Sequence, residues 1–361
     1  MILTKIDKYI IKKFLGTFFY AITLLAGVII VFDLSEKIQD LLENHAPVSE
    51  IIFSYYLNFL PYFINLFSYL FVFISVIFFT SKLATNTEII AILSSGISFK
   101  RLLRPYIISA TFLALLSFVL ANFVIPHTNV KMREFKQKYI SNLKLDRGHN
   151  IHFQIAKNNF VYVERYTPKT YTAKKFSIEQ FNPNGELVYK LNSSKAVFDT
   201  INRSWAIHDY YIRTIDGLKE DFKKGSRIDT TIALYPKDLV LIKEDYEVMD
   251  FFELNQFIED QQMKGTGNVI QYQVEQQKRT AYPFAALILT IIGVSLSSRK
   301  IRGGMGMHLG LGIGLTFIYI LFMQFATVFA VYGGLAPVVA AWIPNVLFSV
   351  IAVILLRNAP K

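Results

Sequence analysis

The chain has 361 residues, 53% of them hydrophobic, no cysteine, and a formal net charge of +11. The absence of cysteine excludes disulfides, thiolate metal sites and cysteine nucleophiles. A basic balance of this size would suggest nucleic acid in a soluble chain, but six long apolar stretches around a polar middle of about 150 residues make this a membrane protein, and its charge a report on topology.

The first stretch, Phe14 to Phe32, follows Lys5, Lys8, Lys12 and Lys13 and ends at Asp33 and Glu36 without a small-x-small cleavage site, so it reads as an uncleaved anchor. The second, Ile51 to Phe79, contains Pro61, which is expected to kink it. A loop follows in which Thr87 to Ile97 reads as a short amphipathic helix with a cap at its start, Glu88 in its first turn and Gly96 as its stop. Glu88 is either a partner for the helix macrodipole or the acid of a coupling helix that enters a cleft of a cytosolic ATPase. The third stretch is Pro105 to Ile125.

Beyond it the pattern becomes β. Asn159 to Tyr166, Phe176 to Phe181, Leu187 to Leu191 and Trp205 to Ile215 are rich in Val, Ile, Phe and Tyr, and Asn182-Pro183-Asn184-Gly185 is a turn signal. These short strands suggest a sandwich or jelly roll with an apolar inner face. Helical spacing returns from Asp250 to Lys264 and stops at Gly265 and Gly267; a second helix starting near Val269 runs through Lys278 and Arg279 into the fourth span. The last three stretches are Ala281 to Leu296, Met307 to Val331 and Val338 to Leu356. About 20 residues at 1.5 Å rise cross a ~30 Å hydrocarbon layer, and helices satisfy their own backbone there. Gly306, Gly310 and Gly314, spaced i, i+4, i+8, read as a helix-packing stripe. The predicted organisation is three spans with the coupling segment at about 87–97 (1–126), an all-β jelly-roll-like domain (127–249), a helical connector (250–279) and three more spans (280–361).

Thirteen Lys and Arg stand against Asp7 and Glu88 in four segments on one side, which carries the whole +11, whereas the loop after the first span sums to −4. The positive-inside rule therefore places both termini in the cytoplasm and the insert outside. No phosphate-binding loop or HExxH pair occurs, and the spans hold no charged residue at their centres, only polar ones such as Asn58, Asn65, His308 and Gln324. Ion-coupled transport and membrane catalysis lose ground on this basis.

The opening Ile6-Asp7-Lys8-Tyr9-Ile10, the loop Thr87 to Gly96, Asn159-Phe160-Val161-Tyr162-Val163-Glu164-Arg165, Tyr272-Gln273, Pro283 and Val331-Tyr332-Gly333, in this order within a 3 + β + 3 plan, resemble the LptF/LptG lipopolysaccharide export permease family, its LptG branch in particular. The resemblance implies a non-enzymatic transporter subunit of a Gram-negative inner membrane, with a periplasmic β domain, that extracts lipopolysaccharide. Its partners would be an LptB-like ATPase dimer, a second LptF-like or LptG-like permease, an LptC/LptA-like periplasmic bridge and membrane lipids, with no nucleic acid. This chain would bind no cofactor, ATP and Mg residing on the ATPase. Glu88, with Ile89, Ile92, Leu93 and Gly96, matches the coupling helix. Lys37, Arg133, Lys136 and Arg279 become candidates for lipopolysaccharide phosphates, snorkelling to headgroups being the plainer role. Asp33, Glu36 and Asp40 depart from the basic cluster that proteobacterial LptG-like chains carry after the first span. The reading from another class is a membrane-anchored envelope adaptor or assembly protein whose β domain binds other proteins.

Overall fold

The computed structural model describes residues 4–140, 149–239, 245–263, 269–299 and 304–359. The helices used below are α1 (Lys5–Glu43), α2 (Val48–Thr85), α3 (Glu88–Ser94), α4 (Phe99–Tyr139), α5 (Phe251–Met263), α6 (Val269–Ser297), α7 (Gly304–Tyr332) and α8 (Pro337–Arg357). Between α4 and α5 lie β1 (His149–Ala156), β2 (Asn159–Thr167), β3 (Thr172–Phe181), β4 (Leu187–Asp199), β5 (Ser204–Asp216) and β6 (Lys219–Thr230). All helices but α3 and α5 are long and apolar enough to cross a membrane, so the protein is a six-span α-helical membrane protein with an inserted β domain. Residues 1–141, 247–251 and 270–361 form one compact unit and 142–246 and 252–269 another.

In the helical unit α1 begins with a capping box: Thr4 Oγ1 accepts from the Asp7 backbone N–H, and the Asp7 carboxylate accepts from the Thr4 backbone N–H. Ile10, Phe14, Phe18, Ile22 and Ala26 then bury one stripe, which packs on Val72, Val76 and Phe79 of α2 and Leu102, Tyr106 and Leu113 of α4. The opposite faces stay apolar and exposed, as at Val31, Phe32, Phe317 and Phe329, the surface a lipid solvent requires. Two buried polar side chains link three helices: Tyr319 donates to Asn345 Oδ1 at 2.7 Å and Asn345 Nδ2 to the Ala281 carbonyl at 2.8 Å, tying α6, α7 and α8 together. Ser117 Oγ donates to Asn65 Oδ1 at 2.6 Å between α4 and α2.

Three expectations change. The third span does not give way to β structure at residue 127: after a π-helical turn at Leu120–Val124, α4 continues to Tyr139, because Met132, Phe135 and Tyr139 recur at helical spacing and pack on Leu41, Tyr55, Tyr56 and Phe59. A Cβ added at Gly306, Gly310 or Gly314 would meet nothing within 4 Å among the described residues. The buried face of α7 runs instead through His308, Gly312, Thr316 and Tyr319, and the close approaches are made by Gly312 and Gly293, where added Cβ atoms would lie 2.2 Å from Ile77 Cδ1 and 2.9 Å from Val76 Cγ1. Finally, β6, with nine of its twelve positions Lys, Glu, Asp, Arg, Gly or Ser, lacks an apolar run to announce it. Its charges suit a sheet edge.

In the second unit the strands pair in chain order, β1-β2-β3-β4-β5-β6, all antiparallel. Connections of two to five residues can join only adjacent antiparallel strands, so the all-β domain is a meander among its described strands rather than a set of Greek-key crossings. One face buries Val161, Val163, Phe176, Ile178 and Leu191. At one level the spacing between buried residues becomes three in four neighbouring strands: Val163 to Tyr166, Ala173 to Phe176, Ser193 to Ala196 and Ile207 to Tyr210. Register is unbroken there, and Lys175 and Asp209 take left-handed backbone (φ 47° and 48°), so the strands bend together. The resulting core closes around Trp205, stacked on Phe176 and donating its indole N–H to the Leu234 carbonyl at 2.8 Å. Leu254 and Ile258 form the buried side of α5; Gly265 and Gly267, expected to stop it, lie outside the described residues.

Candidate functional site

The loop between α2 and α4 carries the expected short helix. Thr87 does not cap it through its side chain: its backbone is left-handed (φ 61°) and its hydroxyl donates to the Asn86 carbonyl at 2.6 Å. Glu88 opens the helix and accepts from Asn86 Nδ2 at 3.1 Å. Gly96 ends it in left-handed conformation (φ 88°), as its sequence position predicts. Two turns divide the residues into faces. Ile89 is 1% exposed, and Ile92 and Leu93 pack with it on the cluster that holds Ile10, Phe14, Phe99 and Leu102. Those three expected contact residues therefore anchor the helix inward. The accessible face is Ile90, 58% exposed, with Ala91, Ser94 and Gly96, and Glu88 beside them half-buried.

Beside this apolar anchorage, an ion pair ties the helix that follows, α4, to α1. Arg101, one turn into α4, donates from both guanidinium ends to the two Asp7 oxygens, each at 2.6 Å. The Asp7 side chain is 3% exposed and that of Arg101 29%. Ser98 caps α4 by accepting from the Arg101 backbone N–H at 3.3 Å. Seven residues after α3 ends, α4 is thus clamped to the first turn of α1.

At the opposite ends of the spans the four candidate cations differ. Lys37 pairs with Asp33, donates to the Tyr55 hydroxyl at 2.5 Å and lies 5.2 and 5.5 Å from the Tyr55 and Phe59 ring centres. Its charge is therefore neutralised within the chain. Arg279 is 8% exposed; its Nη1 donates to the Met249 carbonyl at 2.7 Å and its Nε to Glu275 at 3.3 Å. Arg133 and Lys136 lie half-buried on the continuation of α4 past the π turn. Asn122 of α4 donates to the Arg279 carbonyl at 3.5 Å, so α4 and α6 meet at this end. Asp33 and Glu36 line, with Phe32 and Phe63, a cavity of about 480 Å³ between α1 and α2.

A family model described as lipopolysaccharide export system permease LptF/LptG matches residues 8–358. The chain belongs to the LptF/LptG family. The match spans α1 through α8 with the β domain between them, and it is to the joint family, which it does not divide into its two branches. No curated protein matches the chain. Within this LptF/LptG permease the sequence expectation does not single out Ile90 and Ala91 as the exposed face of α3, since a pattern names apolar positions without saying which way they face, nor the Asp7–Arg101 pair. No local signal marks that pair, since 94 positions separate its members.

Proposed function

We propose that this LptF/LptG permease is one half of an ATP-driven lipopolysaccharide exporter. It pairs with a second six-span permease around a lipid-accessible cavity in the inner membrane, with both termini and α3 in the cytoplasm and the β domain in the periplasm. An LptB-like ATPase dimer engages α3 through Ile90, Ala91 and Glu88, and ATP and Mg act on that partner. The β domain passes lipopolysaccharide to an LptC/LptA-like bridge. The observation that supports this reading best is α3 itself, seated by Ile89 and followed by an α4 that Arg101 clamps to α1, with Ile90 exposed and Glu88 half-buried beside it. Such a helix suits a groove on a partner, and its anchorage suits the transmission of force into α1 and α4.

Purification in mild detergent with the candidate ATPase tests it. Glu88→Ala and Ile90→Ser are expected to weaken co-isolation and uncouple hydrolysis from export while leaving the bundle intact. Truncating one partner of an interfacial charge pair costs ~2–5 kcal/mol, against the ~0.3–1 kcal/mol that a first-turn acid contributes to its own helix. Wild-type ATPase association and export in both variants would leave Glu88 as a dipole partner only.

A further inference from the structure

We propose that the polar face of the β sheet binds a neutral oligosaccharide, in a groove centred on Tyr211. The strand registers place His152, Tyr162, Ser177, Asn192 and Tyr211 side by side in one cross-strand row on the face opposite the apolar core. Phe160, Glu179, Lys190 and Arg213 form the next row. A solvated sheet face ordinarily carries polar residues alone; this one carries aromatic rings, with Phe160 38% and Tyr211 43% exposed. Between Tyr162 and Asn192 the small Ser177, 6% exposed, forms the floor of a cavity of about 630 Å³. A second cavity of about 550 Å³ continues towards β6, and the two share Asp209 and Tyr211.

The chemistry of this groove selects its occupant. Lys175 and Lys190 among its lining residues are balanced by Glu179 and Asp209, and the lysines are already paired, Lys190 with Glu179 and Lys175 with Glu164, each at 2.7 Å. No surplus charge remains to favour a phosphate. Asn192 Nδ2 donates to the Tyr211 hydroxyl at 2.7 Å, which leaves the amide oxygen, one amide hydrogen and the phenolic hydrogen for a ligand. An extended peptide adds at a sheet edge through backbone groups, but the backbone here is consumed in ladders on both sides of β2, β3, β4 and β5. A sugar needs none of it: its C–H face stacks on a tyrosine ring and its hydroxyls both donate and accept. Two joined cavities on either side of one ring fit a chain of several sugars rather than a single one.

The test uses the full chain in phosphatidylethanolamine and phosphatidylglycerol nanodiscs free of glycosidic detergent. Calorimetry follows neutral trisaccharides of glucose, galactose, mannose or N-acetylglucosamine, offered free in solution or attached to a lipid in the disc. Saturable binding is expected, weakened at least about tenfold by Tyr211→Ala and by Asn192→Ala, unchanged by Leu218→Ser in the exposed β5–β6 turn, and not displaced by inorganic phosphate. Binding of the free sugar assigns the groove to a soluble glycan, and binding of the lipid-linked form alone to a membrane glycolipid. The proposal fails if no trisaccharide saturates in either form, if both variants bind normally with Trp205 fluorescence unaltered, or if phosphate competes. It stands apart from the export reading, whose test concerns α3.

Discussion

Asp7 and Arg101 show how one pair of residues acts on a whole segment. Arg101→Ala would leave the nearly buried Asp7 carboxylate with only the Thr4 donors of its capping box. A loss of about 1–3 kcal/mol is expected, below that of a fully buried pair because Arg101 is partly solvated. Asp7→Ala should cost a similar amount plus the cap, and the double variant should cost less than the sum of the two. Thermal unfolding of the detergent-solubilised protein reads all three, and strict additivity would mean that the pair does not act as a unit. Tyr166 offers a residue-scale test against pH. Burial pushes its phenol up to about 12, with the charge of nearby Tyr171 adding to the shift. The folded state therefore prefers the neutral phenol. That preference supports folding fully below the ordinary tyrosine value of about 10 and is lost as pH rises towards 12. Alkaline titration by ultraviolet absorbance should show a late phenolate that Tyr166→Phe removes. Because the Tyr166 hydroxyl is buried without a protein partner, the same variant should not lower stability below pH 9.

At the scale of elements, helix packing follows which face turns inward rather than which motif stands out. Gly306, Gly310 and Gly314 form the more regular pattern, yet Gly312 is the position where a methyl group would meet Ile77. Gly312→Ala is expected to destabilise by about 1–3 kcal/mol through overpacking, and Ile77→Val should restore part of it. Gly306→Ala, with open space around it, should be neutral or stabilising by up to about 1 kcal/mol. Equal melting shifts for the two alanine variants would contradict the packing described. The same distinction explains α3, whose amphipathicity was legible although its orientation was not. Ile89 and Ile90 are adjacent and chemically identical, and only the cluster formed by α1, α2 and α4 makes one an anchor and leaves the other exposed. The inserted sheet repeats the lesson: strand-forming runs were readable in β2, β3, β4 and β5, whereas the charged β6 is a strand because β5 offers it a free edge.

For the whole molecule the sidedness assignment can be tested directly, since the chain lacks cysteine and single probes carry no background. Lys100→Cys reports the basic side and Leu218→Cys the tip of the β5–β6 turn, both exposed. A membrane-impermeant maleimide applied to intact spheroplasts should label Leu218→Cys and reach Lys100→Cys only after permeabilisation. The opposite pattern would overturn the orientation and the export reading with it. The sequence by itself determined six spans, the position of the insert, its β character and the existence of α3. Each is a property of a continuous segment: about twenty apolar residues suffice for a span, and alternation or helical spacing suffices for an element. Only the tertiary structure decided that Lys37 and Arg279 are engaged internally, that Asp7 holds Arg101, that Ile90 faces outward, and that Tyr162, Asn192 and Tyr211 share one groove. Those outcomes depend on register and packing between segments far apart in the chain, where each partner's meaning is set by the other and neither carries it alone.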